Sequence, residues 1–322
     1  MQEKGTVINA VWTAPPRPNT PSGEVRRIGI ELEFIDLDAM TSAEIVKSLF
    51  GGELDAVSQH KIHVRGSDVG DFLVELDLQL LHEGDPTNPL RQLAGELGAA
   101  LIPMEIACPP IPYDKAFAID DLREKLREAG AQGTLTSPFY ALGAQLNPEL
   151  PSHDSAYLLA VLRSFVLLRD WLRDEIKVDA SRRLSFFASA YPGDWCDMIL
   201  DPDYGPDMAG LTGGYLEHNA TRNRELDMLP FLAYLDEGRI RSALPPGHKV
   251  NKRPTYHYRL PNALIDSPDW SLALEWERWL AVEQLAERPD LIEKYAALWR
   301  ENHARLIPHD WTPLSRELRG LL

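Results

Sequence analysis

Cysteine is nearly absent. The 322 residues include only Cys108 and Cys196, which lie far apart and in no motif. A disulfide framework is excluded, and a reducing, cytoplasmic setting is the expectation. Basic residues are also scarce, 33 against 49 acidic, giving a net charge of −16. Such a chain does not bind nucleic acid nonspecifically or adhere to anionic lipid, so neither partner is expected. No apolar run reaches the roughly 18 residues that suggest a membrane span. Residues 1–14 lack the basic start and apolar stretch of a secretory leader. A glycine-rich loop of the kind that cradles phosphates is missing as well. Any nucleotide site must therefore be built differently.

Proline is the exception to this scarcity at the start. Residues 13–23 hold four of the 25 prolines, and residues 1–23 are expected to be an extended or disordered lead-in. A single domain is expected over 24–322. Its first half predicts strands at 25–36, 60–65, 71–80, 103–107 and 139–146, with helices at 41–50, 89–100 and 114–129. Glycines and aspartates at Gly66, Asp68, Gly70 and Asp71 predict a hairpin turn. The second half is helical. Ser152 or Asp154 can cap a helix running to about residue 177, and another is expected near 225–237. A basic loop at 245–254 precedes a short strand at 255–260, and two or three helices finish the chain. Trp270, Trp276, Trp279 and Trp299 are expected to be packing anchors. Strands first and helices later favour an α+β domain with a largely antiparallel sheet.

The chemistry is concentrated in a few short runs. Residues 28–34 read Ile-Gly-Ile-Glu-Leu-Glu-Phe, which in a strand puts Glu31 and Glu33 on one face and Ile30, Leu32 and Phe34 on the other. Two like charges on an otherwise apolar strand are costly to bury, and a hard cation such as Mg²⁺ or Mn²⁺ would remove that cost. A solvated strand face is the plainer alternative. Glu105 lies in a short apolar strand ending in Pro109-Pro110. Glu75, Asp77 and Gln79 share a face, and for Glu75 and Asp77 metal binding and a salt-bridged surface are both open. Gln145 and Asn147 share another. Arg222, Asn223 and Arg224 precede the 225–237 helix, and can either contact phosphate or pair with Glu225 and Asp227. His257 and Arg259 lie on one face of the late strand, where His257 can be functional or simply structural. His60 and His63 have poor metal spacing and are expected to be structural.

Together these runs resemble the carboxylate–amine ligase superfamily, which includes glutamine synthetase and glutamate–cysteine ligase, and most closely its amidoligase branch. The resemblance spans roughly residues 25–285. It rests on Gly29, Glu31, Glu33 and Phe34 in the opening strand, and on Glu105 followed by Cys108-Pro109-Pro110. Gln145 and Asn147 add to it, and the most specific part is the Arg-Asn-Arg-Glu-Leu-Asp-Met-Leu-Pro run at 222–230. The resemblance implies a glutamine synthetase-like catalytic domain, a curved, mostly antiparallel sheet with helices on its convex face. It implies an ATP- and Mg²⁺-dependent (or Mn²⁺-dependent) ligase joining a small-molecule or peptide carboxylate to an amine through an acyl phosphate. Glu31, Glu33, Glu105 and Glu75 would then hold metal. Arg222, Arg224 and Arg259 would act on the phosphoryl group. Gln145, Asn147, Asn223 and His257 would contact nucleotide, bound water or substrate.

One departure stands out. The superfamily usually places Glu-x-Arg on its late strand, and here the strand reads His257-Tyr258-Arg259. Either Glu75 or Asp77 replaces the missing carboxylate, or one metal site is weaker, or catalysis is lost. A guanidino-kinase-like phosphotransferase and a silent nucleotide-binding relative therefore stay open. The basic stretch 247–253 is either a plain solvated loop or a lid over ATP.

Overall fold

A computed structural model describes residues 12–77, 102–134, 142–177, 188–245, 248 and 250–322. Among these residues the chain forms nine strands in one mixed-length sheet and ten helices. The expected helix at 89–100 and residue Gln79 lie outside the described residues, as does the start of the strand expected at 139–146.

Strand β1 (Arg27–Phe34) is central. It pairs with β5 (Met104–Ala107) and the short β6 (Ile111–Pro112) on one side and β7 (Ala144–Pro148) on the other. Outward from β5 come β4 (Gly70–Leu76), β3 (Lys61–Ser67) and β2 (Glu53–Ser58). Beyond β7 lie β9 (His257–Tyr258) and β8 (Leu226–Asp227). Every pairing is antiparallel. The β3–β4 hairpin turns at the expected glycines. Gly70 has a φ of 122°, and a Cβ there would sit 2.9 Å from Pro109 Cβ, so the position suits only glycine.

Strict alternation gives the sheet two unlike faces. Ile28, Ile30, Leu32 and Phe34 of β1 are fully buried, with Ile62, Val64, Phe72, Val74, Ile106, Leu146 and Tyr258 on the same side. Helix α1 (Ala39–Phe50), capped by Asp38, packs against β3 and β4 there. Helix α3 (Ser155–Ile176) follows α2 (Phe117–Glu128) and is the longest; Asp154 accepts from the Tyr157 N–H at its start, while Ser152 Oγ instead accepts from the Asp154 N–H. Phe165 of α3 meets Tyr258 edge-on, and Trp279 of α8 (Leu272–Ala286) lies against both Tyr256 and Tyr258. The four expected tryptophan anchors are all at most 2% exposed.

The lead-in is docked from Trp12 onward. Trp12 stacks on Trp276, and its indole donates to Asp120, which also caps α8 by accepting from the Leu272 and Ala273 N–H groups. Arg26 makes a two-pronged ion pair with Glu283 of α8 at 2.6 and 2.7 Å, both side chains fully buried.

Two expectations need correction. The helix read at 225–237 is three elements: β8, then α6 (Leu229–Leu235), then α7 (Glu237–Ala243). Asp227 accepts from the Leu229 N–H and so starts α6, and Asp236 stops it and caps α7 instead. Strand β2 was not expected. Its short, almost wholly exposed run has little apolar alternation to announce it. The chain ends with α9 (Pro289–His303) and α10 (Thr312–Arg319), after α4 (Gly193–Ile199) and α5 (Met208–Asn219). Among the described residues no helix is long and apolar enough to cross a membrane.

Candidate active site

The second face of the sheet is polar, and the register lines up its charges. Glu33 of β1 lies opposite Glu105 of β5, and Glu105 lies opposite Glu75 of β4. Directly opposed side chains on antiparallel strands start about 5 Å apart at Cβ, and like charges so placed repel. Glu75 in turn faces Lys61 of β3 and bonds it at 2.6 Å, a half-exposed pair at the outer end of the row. Glu105 shows the repulsion most clearly. Burial first, then Glu31, Asp77, Glu33 and Glu75, push its carboxyl well above the ordinary range. The Glu33 carboxylate accepts from the Gly143 N–H at 2.6 Å, which fixes its direction.

A chain of hydrogen bonds continues across the sheet from Glu31. Asn147 Nδ2 donates to Glu31 Oε1 at 2.8 Å. Gln145 Nε2 uses its two hydrogens on Asn147 Oδ1 at 2.8 Å and His257 Nδ1 at 3.2 Å. Arg259 Nη2 approaches the same His257 Nδ1 at 3.4 Å. Both of those partners are donors, so Nδ1 is the acceptor and Nε2 carries the proton. Burial, with Arg259, Arg222 and Arg253, holds His257 well below its ordinary value, in the neutral form. A histidine protonated at Nε2 donates a hydrogen bond there; it does not ligate a metal through that atom.

The far end is basic but contains one buried acid. Asp227 lies opposite His257 in the β8–β9 register. Its Oδ2 is 3.6 Å from Arg259 Nη2, and burial pushes its carboxyl up to about 6 against the pull of Arg259. Arg222 stands near enough to influence both Asp227 and His257. The Arg253 backbone is pinned by its N–H to Pro230 O at 3.0 Å.

The structure thus brings Glu31, Glu33, Glu75, Glu105, Gln145, Asn147, His257 and Arg259 onto one face, with Arg222 at its basic end. Arg224 turns elsewhere. Its guanidinium donates to Ala190 O (2.7 Å), Ser189 Oγ (3.2 Å) and His218 O (3.0 Å), tying β8 to the 188–190 segment and α5. Asn223 joins the same tie through its backbone, its carbonyl accepting from Ser189 at 2.7 Å. The buried Glu225 carboxylate is bonded by Arg173 Nε of α3 at 2.6 Å. Asp227, which the sequence offers only as a pairing partner for Arg222 and Arg224, lies opposite His257 with Oδ2 3.6 Å from Arg259, a neighbourhood that only the strand order reveals.

A model of the family described as "putative amidoligase enzyme" matches residues 24–281, most of the chain. The chain belongs to this amidoligase family. No curated protein and no solved structure matches it. Membership indicates a ligase-type enzyme, and the matched span contains every strand of the sheet and both ends of the polar row.

At the acidic end of this amidoligase, carboxylates from three adjacent strands lie in one row with a half-exposed lysine at its edge, and oxygen donors of this type are the ones a hard divalent cation takes. Among the described residues no group of three or more histidine, cysteine, aspartate or glutamate side chains is placed to hold a metal ion. Cys108, beside Glu31 and Glu105, is buried with its thiol pushed up, and is inert.

Proposed function

We propose that this protein is an ATP-dependent ligase that condenses a small-molecule or peptide carboxylate with an amine. The reading also takes the sheet to be of the glutamine synthetase type. It is supported by membership of the amidoligase family and by one observation above all. A single polar line crosses the sheet, acidic at Glu33–Glu105–Glu75 and basic at Arg259 and Arg222, joined through Glu31, Asn147, Gln145 and His257. A phosphorylated substrate bridging a divalent cation needs such a division of charge.

In this reading Glu31, Glu33 and Glu105 hold Mg²⁺ or Mn²⁺, with Glu75 able to join them by releasing Lys61. The cation would supply charge neutralisation at the phosphates. Arg259 and Arg222 bind phosphoryl oxygens, and the Nε2–H of His257 donates to one of them. The substrate carboxylate attacks the γ-phosphorus, ADP departs, and the amine then attacks the acyl carbon and displaces phosphate. Gln145 and Asn147 do not react. They hold Glu31 and His257 in fixed directions, which is what positioning catalysis requires.

Hydroxylamine tests this directly, because it intercepts acyl phosphates as hydroxamates. The purified protein is incubated with ATP, Mg²⁺, hydroxylamine and a panel of amino-acid and peptide carboxylates. A hydroxamate formed together with ADP and phosphate supports the ligase. A stable phosphorylated acceptor would instead indicate a phosphotransferase, and no turnover with intact ATP binding would indicate a silent relative.

A further inference from the structure

We propose that Asp227 is a positioning residue for the basic end of the site, holding Arg259 in the direction from which it meets phosphate. The inference rests on the reading above that Arg259 is a phosphate contact.

The sheet register puts Asp227 there. Leu226 pairs with Tyr258 and Asp227 with His257, and Leu226 and Tyr258 are both fully buried on the helix side. Asp227 and His257 therefore share the polar face, and the Asp227 side chain is itself completely buried. Its two oxygens do different work. Oδ1 accepts from the Leu229 N–H at 2.9 Å and starts α6. A neutral asparagine or serine would serve equally well as that cap. Oδ2 is the unexplained one. It has no hydrogen bond within normal distance, Arg259 Nη2 lies 3.6 Å away, and Arg222 also acts on the carboxyl. A buried carboxylate oxygen without a close donor is unfavourable unless its charge serves a neighbour.

Arg259 is the neighbour it serves. The Arg259 backbone N–H donates to Glu225 O at 2.8 Å, and Glu225 is anchored by Arg173. That fixes where the side chain begins. The guanidinium is then drawn on one edge toward Asp227 Oδ2 and His257 Nδ1 together. With Nη2 directed at both, rotation about the last side-chain bonds is restricted, and the group stays partly exposed on the polar face. The same contact keeps a donor on His257 Nδ1, so Asp227 also helps to fix Nε2–H as the hydrogen that faces the site. Asp227 thus delivers a carboxylate to the neighbourhood of His257 from the adjacent strand. Neither Glu75 nor Asp77 does this, since both lie on or beside β4, on the other side of β1.

The experiment compares binding of MgATP, by calorimetry, to the wild type and to Asp227→Asn, which keeps the cap and removes the charge. Simple charge arithmetic says that removing an anion tightens anion binding. Positioning says the opposite: about tenfold weaker binding, because Arg259 is no longer aimed. Asp227→Ser is measured alongside, so that a folding failure of one variant does not end the test. In an Arg259→Ala background the Asp227→Asn change should have no further effect. Unchanged or tighter binding by the folded variants, or an undiminished effect in the Arg259→Ala background, overturns the proposal. A wild type that fails to bind MgATP overturns the proposed function itself, and this inference with it.

Discussion

His257 Nδ1 accepts a hydrogen bond from Gln145 Nε2 at 3.2 Å, across 112 positions of sequence. This contact determines which ring nitrogen carries the proton, and so what the histidine can do. A second donor, Arg259, points at the same atom. Nitrogen-15 spectra should show His257 neutral and protonated at Nε2 from pH 8 down to well below 6.5, with no titration in that range. The sign for stability follows. The unfolded chain takes up a proton near 6.5 and the fold does not, so stability is lost as pH falls below 6.5. A His257→Gln variant should lose less stability than the wild type over that range.

The two donors aimed at Nδ1 also suit a carboxylate. His257→Glu should therefore fold, with Gln145 and Arg259 turned onto the new oxygens, and should bind Mn²⁺ at least as tightly as the wild type. Calorimetric Mn²⁺ titration of both proteins checks this; loss of Mn²⁺ binding in a folded variant would contradict it.

Asp227 gives a second pH signature. Its pKa lies at about 6 in the fold against an ordinary 3.8, so the unfolded chain releases this proton first as pH rises. The contribution is therefore favourable at low pH and is lost between 3.8 and about 6. Asp227→Asn should gain on the wild type by about 3 kcal/mol over that interval, at about 1.4 kcal/mol per pH unit. Parallel urea melts at several pH values isolate the difference; a constant gap between the two proteins would show that the group does not titrate there.

The Arg26–Glu283 pair predicts a purely structural effect. Glu283→Ala leaves a buried guanidinium without its carboxylate and should cost about 3–5 kcal/mol. Arg26→Met combined with Glu283→Leu should cost much less, because no charge is then stranded. Thermal denaturation of the three proteins distinguishes the cases.

Much of this was legible in the sequence because alternation is a local property. Ile28, Ile30, Leu32 and Phe34 are fully buried while Glu31 and Glu33 face the other way, as the spacing of the run predicted. The same holds for Glu105 and for the Gln145/Asn147 pair. What could not be read was which strands adjoin. Nothing local places Glu75 beside Glu105, or Gln145 beside His257; only the strand order does. The 222–230 run misled for a different reason. It has the composition of a helix start, yet long-range ties spread its residues: Arg224 goes to Ala190 and His218, Glu225 to Arg173, and Asp227 to the late strand. Tertiary contacts overrode local propensity there.

In the proposed ligase, carboxylates from neighbouring strands together hold a divalent cation that carries ATP. Mn²⁺ binding with and without ATP, followed by electron paramagnetic resonance, tests it most directly in the wild type, Glu31→Ala and Glu105→Gln. ATP should sharpen Mn²⁺ binding to the wild type, and each substitution should weaken it at least about tenfold while the protein stays folded. Equal Mn²⁺ binding by all three proteins would contradict it.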